Sequence, residues 1–79
     1  MSAVTKQLVK YHIARLQDKD AKVRLKSIKE LELLSDADAL EPLEQVFKTD
    51  SDADVRRAAQ EAGRTIFRNL KSQNAAQDG

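Results

Sequence analysis

Apolar and polar residues follow one another along most of this chain with the spacing of amphipathic helices. The period predicts four helices, at residues 5–17, about 21–34, about 39–48 and about 53–70. The first helix carries two adjacent apolar rows, one of Val4, Leu8 and Tyr11 and the other of Val9, Ile13 and Leu16. Two rows make an apolar face wider than a surface helix usually needs, so we expect neighbours to cover this helix on two sides.

Short polar breaks separate the four segments and supply aspartates suited to cap helices. Asp20 and Asp52 are the predicted N-caps of the second and fourth helices, and Asp36 or Asp38 caps the third. Pro42 places the start of the third helix close to Asp38, because a helix tolerates proline in its first turn. Breaks of this length join consecutive helices as antiparallel hairpins.

The predicted inner faces of the last three helices are mostly aliphatic. They comprise Val23, Ser27, Ile28, Leu31 and Leu34 in the second helix, Leu40, Leu43, Val46 and Phe47 in the third, and Val55, Ala59, Ala62, Ile66 and Leu70 in the fourth. Gly63 lowers helix propensity by about 1 kcal/mol, so we expect close helix packing to compensate there. Residues 72–79 are polar and have no apolar period, which predicts a disordered C-terminal tail.

One aspartate-rich stretch occurs twice, 32 positions apart. Asp18–Arg24 returns as Asp50–Arg56, and the correspondence extends to three further pairs: Leu8 with Leu40, Tyr11 with Leu43, and Ser27 with Ala59. Self-similarity at such a period is typical of stacked repeats. The predicted fold is therefore all-α, with residues 1–71 forming two antiparallel helical hairpins, at about 5–34 and 37–70, stacked as a short solenoid.

The second hairpin contains three motifs: Ala39-Leu40-Glu41-Pro42-Leu43, Asp50-Ser51-Asp52-Ala53-Asp54-Val55-Arg56 and Ala58-Ala59-Gln60-Glu61-Ala62-Gly63. Together they resemble a HEAT repeat, in the short HEAT-like form of phycobilisome lyase-related proteins. The first hairpin departs from this pattern, since its first helix has no proline and Leu31 occupies the place of the glycine. The resemblance implies an α-solenoid whose second helices line a concave protein-binding side. It also implies a specific role, that of an accessory or assembly factor of phycobiliprotein maturation.

Composition and charge narrow the classes of function. The 79 residues include no cysteine, which excludes a disulfide framework and thiolate metal sites. No apolar run approaches the roughly 18–20 residues of a membrane span, and no signal peptide is evident, so we expect a cytoplasmic protein. The net charge of +1 conceals balances of +6 in residues 1–29, −8 in residues 30–54 and +3 in residues 55–79. This asymmetry bears on partners and self-association.

The recurring charged residues have structural interpretations. In similar repeats an arginine at the position of Arg24 and Arg56 pairs with an aspartate of a neighbouring turn, so the resemblance implies a structural ladder. Its candidate aspartates are Asp20 and Asp52, with Asp18 and Asp50 as the alternatives. Direct contact of these arginines with a ligand is the other interpretation.

Two further patterns point away from metal chemistry. Asp50, Asp52, Asp54 and Glu61 have the spacing of a calcium loop, but Val55 stands where that loop needs glycine, which favours helix caps instead. His12 is the only histidine, and without a second ligand it cannot build a metal or catalytic site. We expect it to be a partly buried packing residue.

Nine residues of the second and fourth helices form the candidate protein-binding surface. They are Lys22, Leu25, Lys26, Lys29, Arg57, Arg64, Phe67, Arg68 and Lys71. Seven positive charges and two apolar anchors suit another protein with an acidic surface, and the wide first helix suits a homodimer. A solvated helix face and a nucleic-acid site are the alternatives, the latter disfavoured by the acidic middle of the chain. No nucleophile–base pair or phosphate-binding loop is evident, so we expect no enzymatic activity and no cofactor.

Overall fold

A computed structural model describes residues 3–78 of the chain, with side chains described up to residue 73. Its helices are α1 (Ala3–Arg15), α2 (Ala21–Leu34), α3 (Leu40–Thr49) and α4 (Ala53–Asp78), and a 3-10 turn (Ala37–Ala39) leads into α3. Within the described range every regular element is a helix. The all-α prediction is therefore confirmed.

The helices pair as two hairpins, which stack on each other. α1 packs against α2 to form the first hairpin, and α3 packs against α4 to form the second. The hairpins meet mainly where α2 packs against α4, while the 3-10 turn contacts α1. Each hairpin therefore has one side against its neighbour and one side at an open end of the stack.

Aspartate side chains start the helices after each break. Asp20 accepts a hydrogen bond from the Lys22 amide at 2.9 Å, and Asp52 accepts one from the Asp54 amide at 2.8 Å. Of the two candidates before the third helix, Asp36 caps the 3-10 turn that leads into α3, and it accepts from the Asp38 amide at 2.8 Å. The α-helix itself begins after Ala39 without a side-chain cap. These bonds satisfy backbone donors that the first helical turn leaves free.

The core is built from small and medium aliphatic side chains. Its buried members are Val9, Leu16, Ile28, Leu31, Ala39, Leu43, Val46, Val55, Ala59, Ala62 and Ile66. Phe47, predicted on the inner stripe of α3, is instead 38% exposed. Leu8 and Tyr11 are also exposed, although the sequence repeat pairs Tyr11 with the fully buried Leu43.

That mismatch arises because the first helices of the two hairpins are related by a different number of positions than the second helices. Three core positions in or just after α1 return 30 positions later, in or just before α3. Val9, Ile13 and Leu16 correspond to Ala39, Leu43 and Val46. The caps and arginines of α2 and α4 are related by 32 positions. Four residues separate Leu16 from the start of α2, whereas six separate Val46 from the start of α4, which explains the difference. The predicted pairing of Leu8 with Leu40 and of Tyr11 with Leu43 is therefore wrong.

Two further expectations differ from the structure, both in α4. The helix does not end near residue 70 but continues to Asp78. Its last turns contain alanine and glutamine, which favour helix, and neither proline nor glycine interrupts them. Residue 79, the end of the predicted tail, lies outside the described residues. At Gly63 no atom lies within 4 Å of where a Cβ would stand, so the expected close helix packing is absent.

Candidate protein-binding surfaces

The strongest polar contact between the hairpins joins Arg24 of α2 to Asp50, which precedes α4. The Arg24 Nε donates to Asp50 Oδ2 at 2.8 Å and its Nη2 donates to Oδ1 at 3.0 Å. Its Nη1 donates to the backbone carbonyl of Asp18 at 2.7 Å. Both side chains are nearly buried, 11% and 8% exposed. A paired and desolvated arginine of this kind ties one hairpin to the next.

Arg56 repeats only half of this arrangement. Its Nη1 donates to the backbone carbonyl of Asp50 at 2.7 Å, as Arg24 does to Asp18. Among the described side chains no carboxylate lies within ion-pair distance of Arg56, whereas Arg24 has Asp50. Asp20 and Asp52, which the sequence placed in the ladder, are N-caps and accept from backbone amides. The acceptor of the arginine is the aspartate two residues before the cap.

Electrostatics favour the ionised form of the two buried aspartates. Burial would raise the pKa of Asp50, but the Asp52 amide and the Arg24 guanidinium outweigh it and hold that pKa below its ordinary value. Burial would also raise the pKa of Asp36, but the hydrogen bonds from Lys6 and the Asp38 amide outweigh it and lower that pKa. Lys6 reaches Asp36 at 2.8 Å across the boundary between the hairpins. Both carboxylates thus serve the stacking of the hairpins.

The nine candidate binding residues differ in their surroundings. Five remain together as exposed cations on the adjacent helices α2 and α4: Lys22, Lys29, Arg57, Arg68 and Lys71. Leu25 is partly buried and packs against the core, so the expectation that it is an exposed anchor is wrong. Sequence reasoning missed Leu33, which is 80% exposed. It lies one helical turn after Lys29 and outside the inner stripe of α2, which is the signal that could have identified it.

Arg64 and Phe67 line an open groove at the end of the stack, between α3 and α4, and exposed Arg64 also lies one turn before Arg68. This α3/α4 groove is lined by Leu40, Phe47, Gly63, Arg64 and Phe67, among others. Phe67 is 60% exposed, so the groove offers a large uncovered aromatic surface. It faces away from the first hairpin.

Lys26, exposed between Lys22 and Lys29 on α2, also lines a second groove, at the opposite end. This α1/α2 groove is lined by Tyr11, His12, Arg15, Val23, Lys26 and Ser27. The Tyr11 ring meets the edge of His12 with centroids 5.1 Å apart, and the Arg15 guanidinium lies 5.4 Å from the Tyr11 centroid. The Nδ1 atom of His12 is buried without a hydrogen-bond partner among the described residues. His12 is partly buried, as a packing residue would be.

Comparison with known proteins agrees with the stacked hairpins. The family of HEAT repeats matches residues 3–63, which is most of the chain. This protein belongs to the HEAT-repeat family. No curated protein and no solved structure matches it. HEAT repeats generally mediate protein–protein interaction and are typically non-catalytic scaffolds, so protein partners are the class of ligand that the family indicates.

The acidic turn of the HEAT-repeat chain uses its carboxylates for internal contacts. Asp50 binds Arg24, Asp52 caps α4, and Asp54 lies 3.4 Å from Arg57. In the part of the chain that the structure describes, no group of three or more histidine or acidic side chains could hold a metal ion. None of the described helices is both long and apolar enough to span a membrane.

Proposed function

We propose that this HEAT-repeat protein is a non-catalytic interaction module that binds an acidic segment of another protein. The binding site is its basic face, which consists of Lys22, Lys29, Leu33, Arg57, Arg68 and Lys71. All six side chains are exposed, and they project from two helices that pack side by side. The general role of HEAT repeats in protein–protein interaction supports the class of partner.

The observation that carries this proposal is the lack of neutralising partners on the basic face. Lys29, Arg68 and Lys71 have no ion pair with any described carboxylate, and the same holds for Lys22. Arg57 has only a weak pair with Asp54, at 3.4 Å and with both side chains about three-quarters exposed, 76% and 74%. A row of uncompensated cations attracts an acidic ligand and accelerates its association. Leu33, one turn after Lys29, adds an exposed apolar side chain to this face.

Nucleic acid is the competing ligand for the same charges. The basic face has no aromatic side chain on which bases could stack, because Phe67 lies in the α3/α4 groove. The acidic residues between the two basic parts of the chain would repel phosphate. An accessory role in phycobiliprotein maturation stays a prediction from the sequence resemblance, since the family match concerns HEAT repeats in general.

A charge-reversal pair with a matched control tests the basic face. The test protein carries Lys29→Glu and Arg68→Glu, and the control carries Lys10→Glu and Lys48→Glu, which change the net charge equally at other exposed positions. Fluorescence anisotropy measures binding of a labelled glutamate-rich peptide and of a labelled DNA duplex. We expect the test protein to bind the peptide at least about tenfold more weakly and the control to bind nearly as the wild type does.

Two outcomes would overturn this proposal. Equal weakening in both variants would mean that net charge, not this face, attracts the peptide. Tighter binding of the duplex than of the peptide, with a steep loss of affinity on adding salt, would assign the face to nucleic acid.

A further inference from the structure

We infer that the two open ends of the stack bind each other, so that the α3/α4 end of one copy docks on the α1/α2 end of a second copy. This contact uses surfaces other than the basic face. It is a head-to-tail contact, and it repeats the way in which the second hairpin sits on the first.

Within one chain, Arg24 of the first hairpin binds the carboxylate of Asp50 in the second. Asp18 has the same local structure as Asp50: each aspartate accepts from the amide two residues later, at 2.9 Å, and its carbonyl accepts from an arginine at 2.7 Å. Arg56 corresponds in the same way to Arg24. A second copy placed on the second hairpin, as the second hairpin is placed on the first, therefore brings its Asp18 to Arg56.

The apolar surfaces of the two ends match this placement. Phe47 and Phe67 are 38% and 60% exposed on the α3/α4 groove, where Gly63 also leaves open space. On α1, Val4, Leu8 and Tyr11 are between 45% and 66% exposed. Their spacing puts them on one side of the helix, opposite Lys6, which contacts the second hairpin. Each end thus presents uncovered apolar side chains away from the rest of the stack.

Charge complementarity favours the same orientation. α1 contains three Lys or Arg residues and no acid, whereas α3 contains two glutamates and one lysine. Docking of a second copy places its basic α1 beside the acidic α3. Within the chain, α1 already pairs with acidic side chains, because Lys6 binds Asp36 at 2.8 Å and Asp38 at 3.2 Å.

A head-to-tail contact does not close on itself in a dimer. Each added copy leaves one α1/α2 end and one α3/α4 end free, so association continues into larger assemblies. We therefore expect the average mass in sedimentation equilibrium to pass twice the monomer mass of 8.9 kDa as concentration rises. A face that paired with itself would stop at the dimer instead.

Blocking one end at a time tests the orientation of the contact. Tyr11→Glu blocks the α1/α2 end and Phe67→Glu blocks the α3/α4 end, so each variant alone should stay monomeric. An equimolar mixture of the two should form a dimer and stop there, because only one pair of intact ends remains. Thermal melts verify folding, and Leu8→Glu and Phe47→Glu serve as second variants of the same ends.

Two further variants complete the experiment, one at the arginine that would pair with the second copy and one as a control. Arg56→Gln should weaken association roughly thirtyfold or more, since it leaves the second copy's Asp18 covered and unpaired. Leu33→Glu, on the basic face, should leave the mass distribution unchanged. The inference is overturned by a wild type that is monomeric at every concentration or stops at the dimer, by a variant mixture that does not associate, or by equal association of Arg56→Gln and wild type.

Discussion

At the residue scale, the nearly buried ion pair of Arg24 with Asp50 connects the hairpins, beside the contact of Lys6 with Asp36. The sequence predicted an arginine–aspartate contact but left four aspartates as candidates. All four occupy similar turns, and only the alignment of one hairpin on the other decides which carboxylate faces the guanidinium. The caps were easier to predict, because a cap depends on the two or three residues that follow it. The helix caps could therefore be predicted from the sequence, but the aspartate that pairs with Arg24 could not.

Removing the Asp50 carboxylate should destabilise the fold strongly. We expect Asp50→Ala to lower the free energy of unfolding by roughly 3–5 kcal/mol, because it leaves Arg24 buried without a partner. Asp54→Ala is the control, since its pair with Arg57 is exposed and worth no more than about 1 kcal/mol. Urea denaturation of both variants measures the difference. Similar losses in the two would mean that the Arg24–Asp50 pair is no stronger than a surface pair.

Acid should weaken the contact between the hairpins. The pKa values of Asp36 and Asp50 are lowered in the folded protein, so both carboxylates contribute stability above the ordinary carboxyl pKa of about 4. This contribution is lost as the pH falls from there through their folded pKa values. Melting temperatures across that range should drop, and Asp50→Asn should drop less steeply than the wild type. Parallel curves would exclude Asp50 as a source of the acid sensitivity.

At the scale of elements, the four helices were predictable but their register was not. Apolar period and caps located the helices, and the second helices repeat at the expected 32 positions. The first helices repeat at 30 positions, because the second hairpin has two more residues between its last core position, Val46, and the start of its second helix. A sequence match that assumes one offset places Tyr11 in the core, whereas it is 53% exposed. Turns accept added residues without a change in core packing, so offsets can differ within one repeat.

Replacing Gly63 by alanine should not destabilise the folded protein. We expect Gly63→Ala to raise the free energy of unfolding by about 0.5–1 kcal/mol, because alanine favours helix and its Cβ would meet no atom within 4 Å. Thermal and urea denaturation measure this gain. Ile66→Ala, in the same helix but fully buried, should instead cost roughly 2–5 kcal/mol. A lower free energy of unfolding for Gly63→Ala would show that another part of the chain packs closely against this position.

The whole molecule separates two kinds of surface, one along the side of the stack and one at its ends. The sequence placed nine residues on a single face, because a helical period gives the direction of a side chain but not the neighbour that it meets. Arg64 and Phe67 also line one end groove, and Lys26 also lines the other. Open ends themselves were expected, since about three repeats are usually needed to cover a stack.

This separation predicts that the two binding activities can be lost independently. Leu33→Glu should weaken binding of the glutamate-rich peptide and leave self-association intact. Phe67→Glu should do the reverse. Anisotropy and sedimentation on the same preparations measure peptide binding and self-association. A variant that lost both activities while still melting cooperatively would mean that both use the same surface.

Tyr11 has a practical consequence of a different kind. The chain has one tyrosine and no tryptophan, so its intrinsic ultraviolet fluorescence comes almost entirely from Tyr11. That ring is half exposed beside His12 and Arg15, outside the core. The emission is therefore a native optical reporter of the α1/α2 end, and dilution of a concentrated sample should change it while a peptide bound on the basic face should not.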